Sequence, residues 1–201
     1  MQNRCMIHAS PLLVIGGSVR AGRLCLQIAD WVAATGRETT AMPCEVVDLR
    51  KWRLPMDDEP GLPAAGHYVR GHTRAWSRKV AGAAGIVFVT PQYNWGYPAA
   101  LKNAIDHLYA EWRGKPALII TYGGHGGDKC AAQLRQVLDG LGMVPVPTMP
   151  GLVLPRPLIE ANTGKIDPAT EFAAHVPDLQ QGFRDLRALI RGQVPGAAST
   201  C

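Results

Sequence analysis

Residues 86–112 read Ile-Val-Phe-Val-Thr-Pro-Gln-Tyr-Asn-Trp-Gly-Tyr-Pro-Ala-Ala-Leu-Lys-Asn-Ala-Ile-Asp-His-Leu-Tyr-Ala-Glu-Trp. The stretch changes period twice. Ile86 to Thr90 is a continuous, partly β-branched apolar run, the pattern of a strand buried on both faces. Pro91 closes it, and a loop rich in aromatic and amide side chains follows. From Pro98 the period becomes helical. Leu101, Ala104, Ile105, Leu108, Tyr109 and Trp112 share one face, while Lys102, Asn103, Asp106 and Glu111 point elsewhere. Pro98 suits a first helical position, so a helix is predicted over Pro98 to Trp112.

The same unit recurs on either side. Leu12 to Ile15 is an apolar run ending in Gly16-Gly17, followed by Leu24, Ile28, Trp31 and Val32 at helical spacing, with Gly36 as the expected stop. Cys44 to Leu49 reads as a second strand, Pro55 to Gly66 as a loop, and His67 to Ala81 as a helix. Ala117 to Thr121 is a fourth strand. A helix over Asp128 to Leu141 follows, with Asp128 as its expected N-cap. Met143 to Met149 is a fifth strand, pushed to the sheet edge by Pro145 and Pro147. Residues 150–165 look irregular. A last helix begins at Asp167-Pro168, breaks near Pro177 and resumes through Leu179, Phe183, Leu186 and Ile190. Strand–helix alternation with uniformly apolar strands predicts a doubly wound parallel sheet with helices on both sides. Residues 11–192 are expected to form one domain between loose tails at 1–10 and 193–201.

Composition narrows the function. Of 201 residues, 47% are hydrophobic and 18% charged, which is globular usage. The net charge of +5 comes without a basic run interleaved with aromatics, so nucleic acid is not an expected partner. Apolar runs are too short to span a bilayer, and Met1 to Ser10 lacks a leader pattern, so the expected location is the cytoplasm. Five scattered cysteines, with no C-x-x-C, predict reduced thiols rather than a disulfide framework or a zinc site, and no metal site is expected.

Three loops follow strands and therefore share one edge of the sheet, where ligands bind. Gly16-Gly17-Ser18-Val19-Arg20-Ala21-Gly22-Arg23 opens a helix. Its backbone N–H groups, the Ser18 hydroxyl and the two guanidinium groups suit a phosphate. It is a near miss for a Walker A loop, with Arg23 where Lys is required and Leu24 where Ser or Thr binds magnesium; it also lacks GxGxxG. Thr90 to Pro98 offers flat aromatic contact and amide hydrogen bonds, a mixture that suits a planar ring with polar edges. For Trp95 and Tyr97 simple packing is an equally good reading. Thr121-Tyr122-Gly123-Gly124-His125-Gly126-Gly127-Asp128 allows close backbone approach. His125 is a candidate acid or base, though a solvated loop histidine is the plainer reading. There is no GxSxG or HExxH motif.

Gly17-Ser18-x-Arg20, then Thr90 to Asp106, then Gly123-Gly124-His125-Gly126-Gly127 resemble the NADPH-dependent FMN reductase family over roughly residues 11–150. The resemblance implies a flavodoxin-like three-layer sandwich with a five-stranded sheet in order 2-1-3-4-5. It implies FMN as cofactor and NADPH or NADH as hydride donor, in a ping-pong cycle that reduces a flavin, quinone, azo compound or similar small acceptor. The alternative is an FMN-binding electron carrier without nicotinamide turnover. Ser18, Arg20 and the backbone around Arg23, Leu24 and Cys25 would hold the phosphate. Pro91, Gln92, Tyr93 and Asn94 would line the ring, and Gly123, Gly124 and Gly126 would meet its polar edge or the ribityl chain. The family also implies a homodimer or homotetramer, for which Trp95, Tyr97, Tyr109, Trp112 and the acidic Asp57, Asp58 and Glu59 are candidates. Arg23 departs from a frequent small hydroxyl residue, Gln92 from a frequent Glu and Ala99 from a frequent Gly.

Overall fold

The apolar run Leu12 to Ile15 lies wholly buried between two parallel neighbours, and the rest of the sheet is built outward from it. In the computed structural model, which describes residues 10–56 and 58–192, the order of elements is β1 (Leu12–Gly16), α1 (Cys25–Thr40), β2 (Cys44–Asp48), α2 (Leu49–Trp52), α3 (Gly71–Ala81), β3 (Gly85–Pro91), α4 (Ala99–Asp106), β4 (Pro116–Gly123), α5 (Asp128–Gly140), β5 (Val144–Pro145), β6 (Gly151–Val153), α6 (Arg156–Ala161), α7 (Pro168–Glu171) and α8 (Val176–Ile190). The expected tails (Ser10 apart), Cys5, Cys201 and Asp57 fall outside the described residues.

The strands run parallel in the order β2-β1-β3-β4-β5, with β6 also pairing β4. This is the flavodoxin-like order, with one strand more than expected. The expected fifth strand over Met143 to Met149 pairs only at Val144 and Pro145, against Pro116 and Ala117. Pro145, Pro147 and Pro150 have no N–H to give to a ladder. The chain therefore leaves the edge and returns at Gly151–Val153 beside Thr121–Gly123. That return carries the chain to the carboxyl edge of β4.

Two cores flank the sheet. One gathers Trp76, Ile105, Trp112, Leu134 and Leu138 from α3, α4, α5 and the turn after α4. The other gathers Ile28, Val32, Phe172, Leu179, Phe183 and Leu186 from α1, α8 and the turn before α8. Helix ends depart from expectation where local chemistry overrides periodicity. α3 starts at Gly71 rather than His67, and α4 stops at Asp106 before a 3-10 turn over Ala110–Trp112 that leaves Tyr109 36% exposed. The break expected near Pro177 falls earlier, at Phe172–His175, because a proline at the start of α8 needs no N–H partner there.

Gly36 does not end α1, which runs on to Thr40 and closes at Ala41 with φ 56°. Its lack of a side chain admits α8: a Cβ at Gly36 would lie 2.6 Å from the fully buried Phe183 ring. Replacing an ordinary helical glycine by alanine stabilises, by up to about 1 kcal/mol. Here the sign reverses. Gly36→Ala is expected to lower stability by about 2 kcal/mol through overpacking, while Gly140→Ala, which meets nothing within 4 Å, is neutral or stabilising. Urea unfolding of the two variants checks the contrast.

Candidate functional site

The chain passes from β1 out to β2 and returns to β3, so strand order reverses between β1 and β3. At that reversal the carboxyl edge holds a cavity of about 290 Å³. Arg20, Gly22, Arg23 and Leu24 form one wall; Pro91, Gln92, Tyr93, Tyr122, Gly123 and Gly124 form the centre. Thus the three loops singled out in the sequence meet at one place. The rest of the lining was not foreseen: Leu154, Leu158, Ile159, Asn162 and Gly164, the last packed against Gly22, come from the segment read mostly as irregular. This segment is strapped to α1 by Gln27, whose Nε2 donates to Gly164 O (2.9 Å) and whose Oε1 accepts from Ile166 N (3.0 Å). The signal for it was there in Leu154, Leu158 and Ile159, apolar residues at helical spacing around Pro155.

At the first loop, Ser18 is fully buried and its hydroxyl is 2.8 Å from that of Tyr93. The Arg20 guanidinium lies over the Tyr93 ring, 3.6 Å from its centroid, a cation–π contact. Ser18, Arg20 and Tyr93 are thereby joined across two loops. α1 has no side-chain N-cap and no acidic residue in its first turn, so its leading N–H groups remain free for an anion. Arg23 behaves differently from the phosphate ligand its charge suggested. Its Nη2 donates to Asp48 Oδ2 at 2.8 Å in a pair whose side chains are only 8% and 9% exposed. Nη1 donates to Arg20 O (3.3 Å), and Nε is buried without a partner. Asp48, which also accepts from Arg50 N, is a residue the sequence reading missed. The Cys25 side chain is buried, its Sγ donating to Val89 O, and only its backbone remains available to a ligand.

At the second loop, Tyr93 and Gly96 exchange both backbone hydrogen bonds around a two-residue turn. Asn94 (φ 47°) and Trp95 (φ 72°) occupy the left-handed conformation such a turn demands. Asn94 is consequently exposed, outside the cavity wall, and Trp95 is 65% exposed. Trp112 is fully buried, which removes it from the candidate interface residues. Gln92 reaches across to the third loop. Its Oε1 accepts from Cys130 N (3.0 Å), which caps α5. The expected cap, Asp128, makes no such bond, and the cap position is Gly127. With φ 88° and a hypothetical Cβ 2.8 Å from Thr121, only glycine suits it. Gly126 packs on the backbone of Gly151 rather than the cavity, and His125 is exposed away from it.

The donor set fits a flavin phosphate and ring: an unsatisfied guanidinium N–H, uncapped helix N–H groups, a buried hydroxyl, and an amide whose oxygen is already taken, leaving its NH₂ to donate. A family model described as NADPH-dependent FMN reductase matches residues 11–152. The chain belongs to that family. It is 55% identical over 180 residues, 89% of each chain, to an NAD(P)H-dependent FMN reductase of Schizosaccharomyces pombe. It is 32% identical over 162 residues, 75% of this chain and 81% of the other, to a quinone reductase of Escherichia coli. Among solved structures it resembles the flavoenzyme NAD(P)H:(acceptor) oxidoreductase FerB of Paracoccus denitrificans. The TM-score is 0.65 at 20% identity, over 92% of this chain and 99% of that one. The chain is thus an NAD(P)H-dependent flavin oxidoreductase with FMN as its cofactor.

Two outcomes follow from this geometry. Asp48→Asn leaves a buried guanidinium without its counter-charge and is expected to cost about 3 kcal/mol in urea unfolding. Burial pushes the thiol of Cys25 up, that of Cys44 to about 11 and that of Cys130 to about 12, in each case because desolvation disfavours the thiolate. At pH 8 a group at about 11 is thiolate in roughly one part in a thousand. Iodoacetamide at pH 8, followed by peptide mapping, should therefore leave all three unmodified in the folded protein and label all three after unfolding.

Proposed function

We propose that residues 11–192 act as one FMN-binding domain whose carboxyl-edge cavity holds the cofactor and admits NAD(P)H and a small planar acceptor in turn. The observation that carries this is the meeting of three strand-end loops at the single reversal of strand order. The Ser18 hydroxyl, the backbone N–H groups of Leu24 and Cys25 at the start of α1, and Arg20 hold the phosphate. Arg23 contributes its backbone and its unpaired Nε while Asp48 fixes its guanidinium. Pro91, Gln92 and Tyr93 bear on the ring, and the Gln92 NH₂ group donates to its polar edge. Gly123 and Gly124 let the backbone approach closely. Asn94 and Gly126 act indirectly, by shaping the turn and by seating the third loop. Leu154, Leu158 and Ile159 close the far wall and exclude water.

Bound FMN supplies the two-electron redox chemistry; the protein supplies position, charge and access. Quinones, free flavins and azo compounds are the acceptor classes, in keeping with relatives named quinone reductase and, in Staphylococcus haemolyticus, FMN-dependent NADPH-azoreductase. A net charge of +5 speaks against an electron carrier that docks through an acidic face. Among the described residues no helix is long and apolar enough to cross a membrane. Action in the cytoplasm, and pairing of chains through the exposed Trp95 and Tyr109, belong to the same proposal.

Anaerobic mixing of the yellow protein with NADPH should bleach the flavin, and menadione should restore the colour. Ser18→Ala and Arg20→Ala should each weaken FMN retention about tenfold, as loss of a charge-assisted or buried hydrogen bond implies. Full FMN occupancy in the folded double variant would remove the phosphate assignment.

A further inference from the structure

On the other face of the sheet three segments converge away from the flavin cavity. The loop after α2 brings Pro55, Asp58 and Glu59; the first turn of α3 brings His72 and Thr73; and the C-cap of α4 is His107. One ligand atom from each of Asp58, His72 and His107 lies within 4.8 Å of the other two. His72 Nε2 and Asp58 Oδ1 are 3.0 Å apart, and the two imidazole rings meet edge-on at 5.8 Å. His107 is 5% exposed and borders a recess of about 160 Å³ that Asp58, Glu59 and Asp106 also line.

The hydrogen bonding of His107 fixes its tautomer. Nε2 is 2.8 Å from Pro55 O, and a carbonyl oxygen only accepts, so Nε2 carries the hydrogen. The lone pair of the neutral ring then lies on Nδ1. The one neighbour recorded for Nδ1 is the Thr73 hydroxyl at 3.3 Å, long for such a bond. An imidazole that donates one N–H to a backbone carbonyl, keeps a lone pair on its other nitrogen and stands beside a carboxylate–histidine pair has the elements of the outer-shell arrangement of a metal-bound histidine.

We propose that Asp58, His72 and His107 form a site for a divalent first-row metal ion of the zinc type, with water completing four-coordination. Two imidazoles and one carboxylate match the borderline character of zinc. Tetrahedral zinc holds its donors about 3.3 Å from one another; here His72 Nε2 and Asp58 Oδ1 are 3.0 Å apart and all three donors lie within 4.8 Å. The surrounding charges are mixed. Glu59 is committed to the N–H groups of Val69 and Arg70, Asp106 is paired with Lys102, and Arg70 Nε sits 3.7 Å from the other oxygen of Asp58. Asp58 is therefore the carboxylate left to bind. The ion would replace the hydrogen between His72 and Asp58 and tie the loop after α2, whose described residues include a 3-10 turn at Pro63–Ala65, to α3 and α4. Its role is structural.

The test uses the untagged, full-length, FMN-loaded protein, freed of metal with EDTA and then titrated with zinc sulfate by calorimetry, with metal content measured after desalting. One equivalent per chain and a raised Tm are expected. His72→Ala and Asp58→Asn should each weaken zinc binding at least tenfold and abolish the rise in Tm, with FMN content and NADPH oxidation unchanged. Absence of stoichiometric zinc in the wild-type protein overturns the proposal. So does undiminished binding in both variants, which would place the ion on other residues.

Discussion

β1 is buried on both faces and hydrogen-bonded on both sides, so it cannot shift without disturbing β2, β3 and both cores at once. Its parallel pairing dictates that the ends of β1, β3 and β4 emerge along one edge. With that edge set, loops far apart in the chain have to share space, and the helix that follows β1 must present its free N–H groups to whatever lies there. Ser18 meeting Tyr93, and Gln92 meeting Cys130, are results of this pairing.

The cross-loop contacts divide the work of the site. The Ser18–Tyr93–Arg20 group joins the loop after β1 to the loop after β3. Gln92 joins the loop after β3 to the glycine loop by serving as the cap that α5 lacks in its own sequence. Arg23 and Asp48 are a buried support beneath the loop after β1, linking it to the end of β2. A site assembled in this way has its cross-loop contacts buried or half-buried and exposes Trp95 at the tip of a tight turn.

What was legible in the sequence were the features with a strong local signature. Apolar runs such as Ile86 to Thr90 marked strands because both faces are covered, and the loops between Thr90 and Pro98 and around Ser18 marked the ligand edge. What was not legible depended on partners distant in the chain. Gly36 has the look of a helix stop, and only Phe183, far along the chain, shows that it is a seat for α8. Asp48 looks like an ordinary strand-end carboxylate until Arg23 reaches it. The prolines of residues 145–150 announced an edge but not that the edge would be split into β5 and β6. The far wall, from Leu154 to Gly164, was missed because short amphipathic segments between prolines carry too little periodicity to declare a purpose.

Gln27 stands in the opening turn of α1 and grips the chain at both Gly164 and Ile166. One carboxamide thus couples the first turn of α1 to the C-terminal third of the chain. One wall of the cavity is built by residues beyond those the family model matches, and a single side chain ties it to the helix that follows β1.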